Sequence, residues 1–194
     1  RPKVVLSWAP HPKALPHAVA NSFVQMMKLQ DADFVITHPE GYELNPELTQ
    51  GCQIEYDQDK ALENADFVYV KNWSSYSEYG KVLSWDTNWT MTQQKLGHAK
   101  FMHCLPVRRN MIVEDAVLDG GQSMVVQQAK NRIFSAQLVL KDRKVLVWCS
   151  QAETGKVVKR WKKAWKMPYL FQETLRTPCT TKNWSIPLWI PMVN

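Results

Sequence analysis

The sequence predicts an α/β fold over residues 1–140, a doubly wound parallel sheet with helices on both faces, followed by a poorly structured tail. Three observations carry this expectation. Apolar runs of four to six residues alternate with longer amphipathic or polar stretches, the rhythm of buried parallel strands joined by helices. Most of these runs end in an unusually polar or aromatic loop, and in open α/β sheets the crevice outside the strand carboxyl ends is where ligands bind. The stretch Phe101-Met102-His103-Cys104-Leu105-Pro106-Val107-Arg108-Arg109 ends an apolar run in a thiol, turns at a proline and opens into two guanidinium groups. Such a tip suits anions and amines.

In chain order, the apolar runs place strands at residues 3–8, 33–37, 53–56, 66–70, 100–104 and 123–126. Helices are expected at 17–29, 58–64, 87–96, 113–118 and 129–140, where the segments are longer and mixed in polarity. The loops at the carboxyl ends are Trp8-Ala9-Pro10-His11-Pro12-Lys13, Thr37-His38-Pro39-Glu40-Gly41-Tyr42, Lys71-Asn72-Trp73 and the segment around Cys104. They are expected to converge on one edge.

Charge divides the chain in two. Residues 1–140 carry 13 Lys+Arg against 15 Asp+Glu, a net of −2, whereas residues 141–194 carry 11 against 3, a net of +8. Five of the nine tryptophans (Trp148, Trp161, Trp165, Trp184, Trp189) lie in this tail, where neither helical nor strand periodicity persists past Tyr169. Two readings stay open: a basic aromatic segment for nucleic acid or a membrane surface, or sequence never selected to fold, such as translation past a frameshift. The second is favoured because the aromatics lack interleaved glycines or a regular face, so neither nucleic acid nor membrane is the expected partner.

Several classes are disfavoured. No apolar run is long enough to span a bilayer and the amino terminus lacks a secretory pattern, so the expected location is cytoplasmic. Cys52, Cys104, Cys149 and Cys179 lie far apart with no metal-ligand spacing, so reduced thiols and no metal are expected. The winding is Rossmann-like, yet none of the seven glycines falls in a GxGxxG or GxxxxGK[ST] pattern, which weakens a dinucleotide or nucleoside-triphosphate reading. The first strand begins at residue 3, abrupt for a complete enzyme.

His103-Cys104-Leu105-Pro106 followed by Val107-Arg108-Arg109-Asn110, with Ala129-Lys130-Asn131-Arg132 downstream, resembles the ornithine-binding, carboxyl-terminal half of ornithine-type carbamoyltransferases. The resemblance covers about residues 1–140 and is closest to the branch acting on N-acetylornithine or N-succinylornithine. It implies transfer of a carbamoyl group from carbamoyl phosphate to the δ-amine of an N-acylated ornithine, in arginine biosynthesis, by a homotrimer and without a cofactor. The alternatives are an ordinary ornithine or aspartate enzyme, or a non-catalytic module.

The resemblance also implies roles. Lys71 stands where ordinary ornithine enzymes carry an aspartate for the free α-ammonium group; an acylated nitrogen is uncharged, so a lysine instead pairs with the α-carboxylate. His11 and Arg108 complete the carboxylate clamp, Arg108 by the planar fork that lysine lacks. Sequence leaves open which of Arg108 and Arg109 points inward. Cys104 and Leu105 line the carbamoyl group through their main chain, with the thiol near the attacking amine and the Leu105-Pro106 bond expected cis. Arg132 reaches carbamoyl phosphate. Gln128 replaces the glutamate common in the family. The family's Ser-x-Arg-Thr loop and His-Pro-x-Gln segment, on an amino-terminal domain, do not occur in this sequence, so the chain alone is expected to bind weakly and not turn over.

Overall fold

A computed structural model describes residues 1–151, with side chains described through residue 141. The basic tail therefore lies outside the described residues beyond a short helical stretch. The described part falls into two compact units, one covering residues 1–133 and a second from Phe134 onward, of which the helical backbone to Gln151 is described.

Five strands form one parallel sheet: β1 (Lys3–Ser7), β2 (Asp33–Thr37), β3 (Gln53–Glu55), β4 (Phe67–Val70) and β5 (Lys100–Met102), in the order β3-β2-β1-β4-β5. The register sets Val5 beside Val35 and Val68, and Val68 beside Phe101. Because side chains alternate across a strand, Val5, Val35, Val68 and Phe101 pack into one apolar cluster while Val4, Leu6, Ile36, Tyr69 and Met102 pack into another. Both faces are thus covered. The first receives Ala61 and Leu62 of α3 (Gln58–Leu62), Leu96 of α4 (Gln93–Leu96) and Val117 of α5 (Asp115–Leu118). The second receives Ala20, Phe23, Val24 and Met27 of α1 (Ala18–Met27). Each fully buried Leu, Ile or Phe contributes roughly 1.5–3 kcal/mol.

The strand order reverses between β1 and β4. Their carboxyl ends therefore diverge into loops on opposite sides of a shared crevice, the point where such sheets hold ligands. This is where the His11 loop and Lys71 begin.

Two expected elements differ, and one helix was not expected. Residues 87–96 do not form one helix: a 3-10 turn (Thr87–Trp89) capped by Asp86 is separated from α4, which Thr92 caps anew through its hydroxyl and the Lys95 amide. Between them Met91, fully buried, is drawn into backbone pairing with Ile112 and Glu114. The expected strand at 123–126 is reduced to a single bridge from Ser123 to Phe101. Its apolar residues instead open α6 (Val125–Gln151), which runs through the whole expected 129–140 helix. A short helix missed in the sequence, α2 (Pro46–Thr49), is built from an Asn45 cap and a proline at the first turn. No helix of the described residues is long and apolar enough to cross a membrane.

Candidate functional site

Three loops are stitched together at the crevice by buried polar groups. Asn72, just past β4, donates to the Ala9 carbonyl at 2.7 Å and accepts from the Leu15 amide at 3.3 Å, so the loop carrying His11 is tied to the end of β4. The Trp8 indole donates to the Trp73 carbonyl at 2.9 Å, and the Trp73 indole to the Tyr42 carbonyl at 2.8 Å. Tyr42 in turn accepts at its hydroxyl from the Leu83 and Ser84 amides. The tryptophans that make these loops aromatic are buried ties rather than exposed ligand plates.

Onto this frame the chain brings His11, Lys71 and Arg108. The Arg108 Nε–H donates to His11 Nε2 at 3.2 Å. A guanidinium cannot accept, so Nε2 is unprotonated and the ring proton sits on Nδ1, 2.9 Å from the Lys13 carbonyl. Partial burial and the positive charges of Arg108, Lys71 and Lys13 outweigh that backbone hydrogen bond and lower the His11 pKa. Lys71 is only 9% exposed. Burial lowers its pKa, while the neighbouring Cys104 acts in the opposite direction. Among the described residues no carboxylate pairs with His11, Lys71 or Arg108. The cluster can therefore hold an anion brought from outside.

The two adjacent arginines separate cleanly. Arg109 turns away and is held by Asp115 at 2.7 Å and by both oxygens of Asp119 at 2.7 and 2.8 Å. Those hydrogen bonds raise its pKa and hold both carboxylates below their ordinary range. Arg108 is the one on the crevice side.

Beneath the cluster lies a buried polar floor. His103, 1% exposed, accepts at Nδ1 from the Leu105 amide at 3.0 Å, and its own backbone amide donates to Gln128 Oε1 at 3.1 Å. Leu105 has φ +49° and precedes a cis bond to Pro106. Tyr69 lies beside Cys104; burial first, then that thiol, pushes its phenol up. Arg132 is exposed one helical turn after Gln128 and makes no hydrogen bond or ion pair with His11, Lys71, Arg108 or Cys104. Four expected site residues are thus grouped with Leu105 at their edge, and Arg132 stands apart. His103 is the contributor that sequence reasoning passed over, although it directly precedes Cys104, and Gln128 was singled out only as a departure from the family's glutamate. Among the described residues no group of three or more His, Cys, Asp or Glu side chains is placed to hold a metal ion.

Residues 16–141 match the family described as aspartate/ornithine carbamoyltransferase, Asp/Orn binding domain, and the chain belongs to that family. Among its relatives, an N-succinylornithine carbamoyltransferase from Bacteroides fragilis (strain 638R) is 56% identical over 146 residues, covering 73% of this chain and 46% of that enzyme. An N-acetylornithine carbamoyltransferase from Xylella fastidiosa (strain Temecula1) is 29% identical over 166 residues, covering 71% of this chain and 47% of that enzyme. Solved structures of N-acetyl-L-ornithine transcarbamylase, one of them complexed with acetylcitrulline, superpose with a TM-score of 0.62 at 29% identity, over 68% of this chain and 46% of theirs. The chain spans about half the length of the curated relatives it matches.

Proposed function

We propose that this chain is the amino-acid-binding half of a carbamoyltransferase that acts on an N-acylated ornithine. The observation that carries the reading is the pair of cations Lys71 and Arg108 gathered with the neutral His11, with no carboxylate opposite them among the described residues. Such a cluster suits an α-carboxylate and would repel a free α-ammonium group. The 56% identity to an N-succinylornithine enzyme supports the same substrate class.

In this reading the unprotonated δ-amine attacks the carbonyl carbon of carbamoyl phosphate, a carbon–nitrogen bond forms, and the carbon–oxygen bond to phosphate breaks. The amine proton leaves with phosphate, and N-acylcitrulline remains. Burial and the nearby cations favour a neutral amine. The Cys104 and Leu105 carbonyls hold the carbamoyl amide, the thiol sits near the amine, and Arg132 reaches toward the phosphate once carbamoyl phosphate is in place. Orientation and fixed positive charge do the catalytic work. The phosphate-binding loops belong to an amino-terminal domain supplied by the rest of the enzyme, assembled as a cytoplasmic homotrimer in arginine biosynthesis.

The test is a completed enzyme, this chain joined to the amino-terminal half of the Bacteroides fragilis relative, assayed for phosphate release. N-succinylornithine or N-acetylornithine is the expected substrate. Preference for free ornithine overturns the substrate assignment, and no turnover with any of the three overturns the reaction.

A further inference from the structure

We propose that His103 is a positioning residue of the carbamoyl site, its neutral imidazole fixing the backbone of Cys104 and Leu105. The proposal deepens the reading above and rests on it for the identity of what those two carbonyls hold.

The geometry starts at Leu105. A leucine at φ +49° occupies the left-handed region, which crowds its Cβ against the backbone and is unfavourable for a side-chain-bearing residue. Something must hold it there. The group that does so is His103 Nδ1, which accepts from the Leu105 amide at 3.0 Å. This contact from a side chain to the amide two residues on is the one by which an asparagine closes a turn. From the other side the His103 amide is anchored on Gln128 Oε1 of α6, so the backbone that carries the imidazole is tied to the first turn of that helix as well as to the end of β5.

The tautomer follows. Since Nδ1 accepts, the single ring proton sits on Nε2, which is buried and has no hydrogen-bond partner among the described residues. A second proton would have to go on Nδ1, where it would break the bond to Leu105. It would also add positive charge beside Lys71 and His11, which with burial hold the His103 pKa at about 4. Cys104 follows His103 in the chain and Tyr69 lies beside that thiol, and no carboxylate pairs with His103 among the described residues. His103 therefore does not exchange protons with substrate near neutrality. Its work is to keep the turn.

The discriminating pair of variants is His103→Asn, which keeps an acceptor for the Leu105 amide, and His103→Leu, which removes it. In the 194-residue chain labelled with nitrogen-15, His103 is expected to stay neutral as the Nε2–H tautomer down to about pH 5. The Leu105 amide is expected to stay protected from hydrogen exchange in the wild type and in His103→Asn, and to lose protection in His103→Leu. In the completed enzyme, His103→Leu lowers kcat about tenfold or more while KM for N-acylornithine changes less than about threefold, and His103→Asn restores most of kcat. A proton on Nδ1 near neutrality, unchanged Leu105 exchange in His103→Leu, or equal impairment of both variants overturns the proposal. A wild-type enzyme inactive on acylornithines would overturn the substrate reading instead, while the exchange measurement still decides the role of His103.

Discussion

Lys71 combines two facts that pull in opposite directions. It is 9% exposed, so its charge is held at a desolvation cost, and no carboxylate among the described residues offsets that cost. Lys71→Met is therefore expected to raise the stability of the chain by about 1–2 kcal/mol in urea unfolding while abolishing N-acylornithine binding. Lys71→Asp places like charges together and is expected to weaken that binding by about 2–5 kcal/mol in calorimetry of the completed enzyme. Unchanged binding in either variant would remove Lys71 from the clamp. The two arginines provide a paired control: Arg108→Lys should weaken N-acylornithine binding by losing the fork, whereas Arg109→Lys should leave it unchanged, because Arg109 faces Asp115 and Asp119. Sequence could not separate these neighbours. What separates them is the carboxylate of Asp119, ten positions away, brought in by α5. His103 escaped notice for a related reason, since its acceptor role depends on the backbone angle of Leu105, which residue type does not reveal.

The strands β1, β2, β4 and β5 were legible because each is a short apolar run with core residues on both faces, whereas β3, at the sheet edge, is mostly exposed and was marked chiefly by Ile54 and Tyr56. Legibility failed where tertiary pairing overrode local pattern. Met91 is pulled into pairing with Ile112 and Glu114, which divides the expected helix at 87–96, and Met124 pairs with only the edge of β5 before the chain coils into α6. The site loops were legible as loops, but the buried ties among them were not. Asn72 is the clearest case, because its side chain joins the Ala9 carbonyl and the Leu15 amide at 3% exposure. Asn72→Ala is expected to cost about 1–3 kcal/mol in stability, since the buried Ala9 carbonyl and the part-buried Leu15 amide lose their partner. It should also loosen His11 and weaken N-acylornithine binding, which calorimetry of the completed enzyme measures directly. Binding equal to wild type would show that the His11 loop holds its place without that tie.

At the scale of the whole molecule, His11, His38 and His103 all have lowered pKa values, with burial the first cause in each. A histidine that is harder to protonate folded than unfolded supports the fold above its unfolded pKa and loses that support as pH falls toward its folded value. For His103 the window runs from about 6.5 down to about 4, and its contribution is about 3 kcal/mol. Urea midpoints are therefore expected to decline steadily across that interval. His103→Asn should flatten the decline, and an identical slope in that variant would assign the acid sensitivity elsewhere.

The claim on which the rest depends is that His11, Lys71 and Arg108 together bind one carboxylate. Its most direct test is an NMR titration of the chain with N-succinylornithine and with the same compound carrying an α-carboxamide in place of the α-carboxylate. The carboxylate is expected to bind about tenfold or more tightly, moving the signals of all three residues together. Equal affinities for the two compounds would contradict that claim.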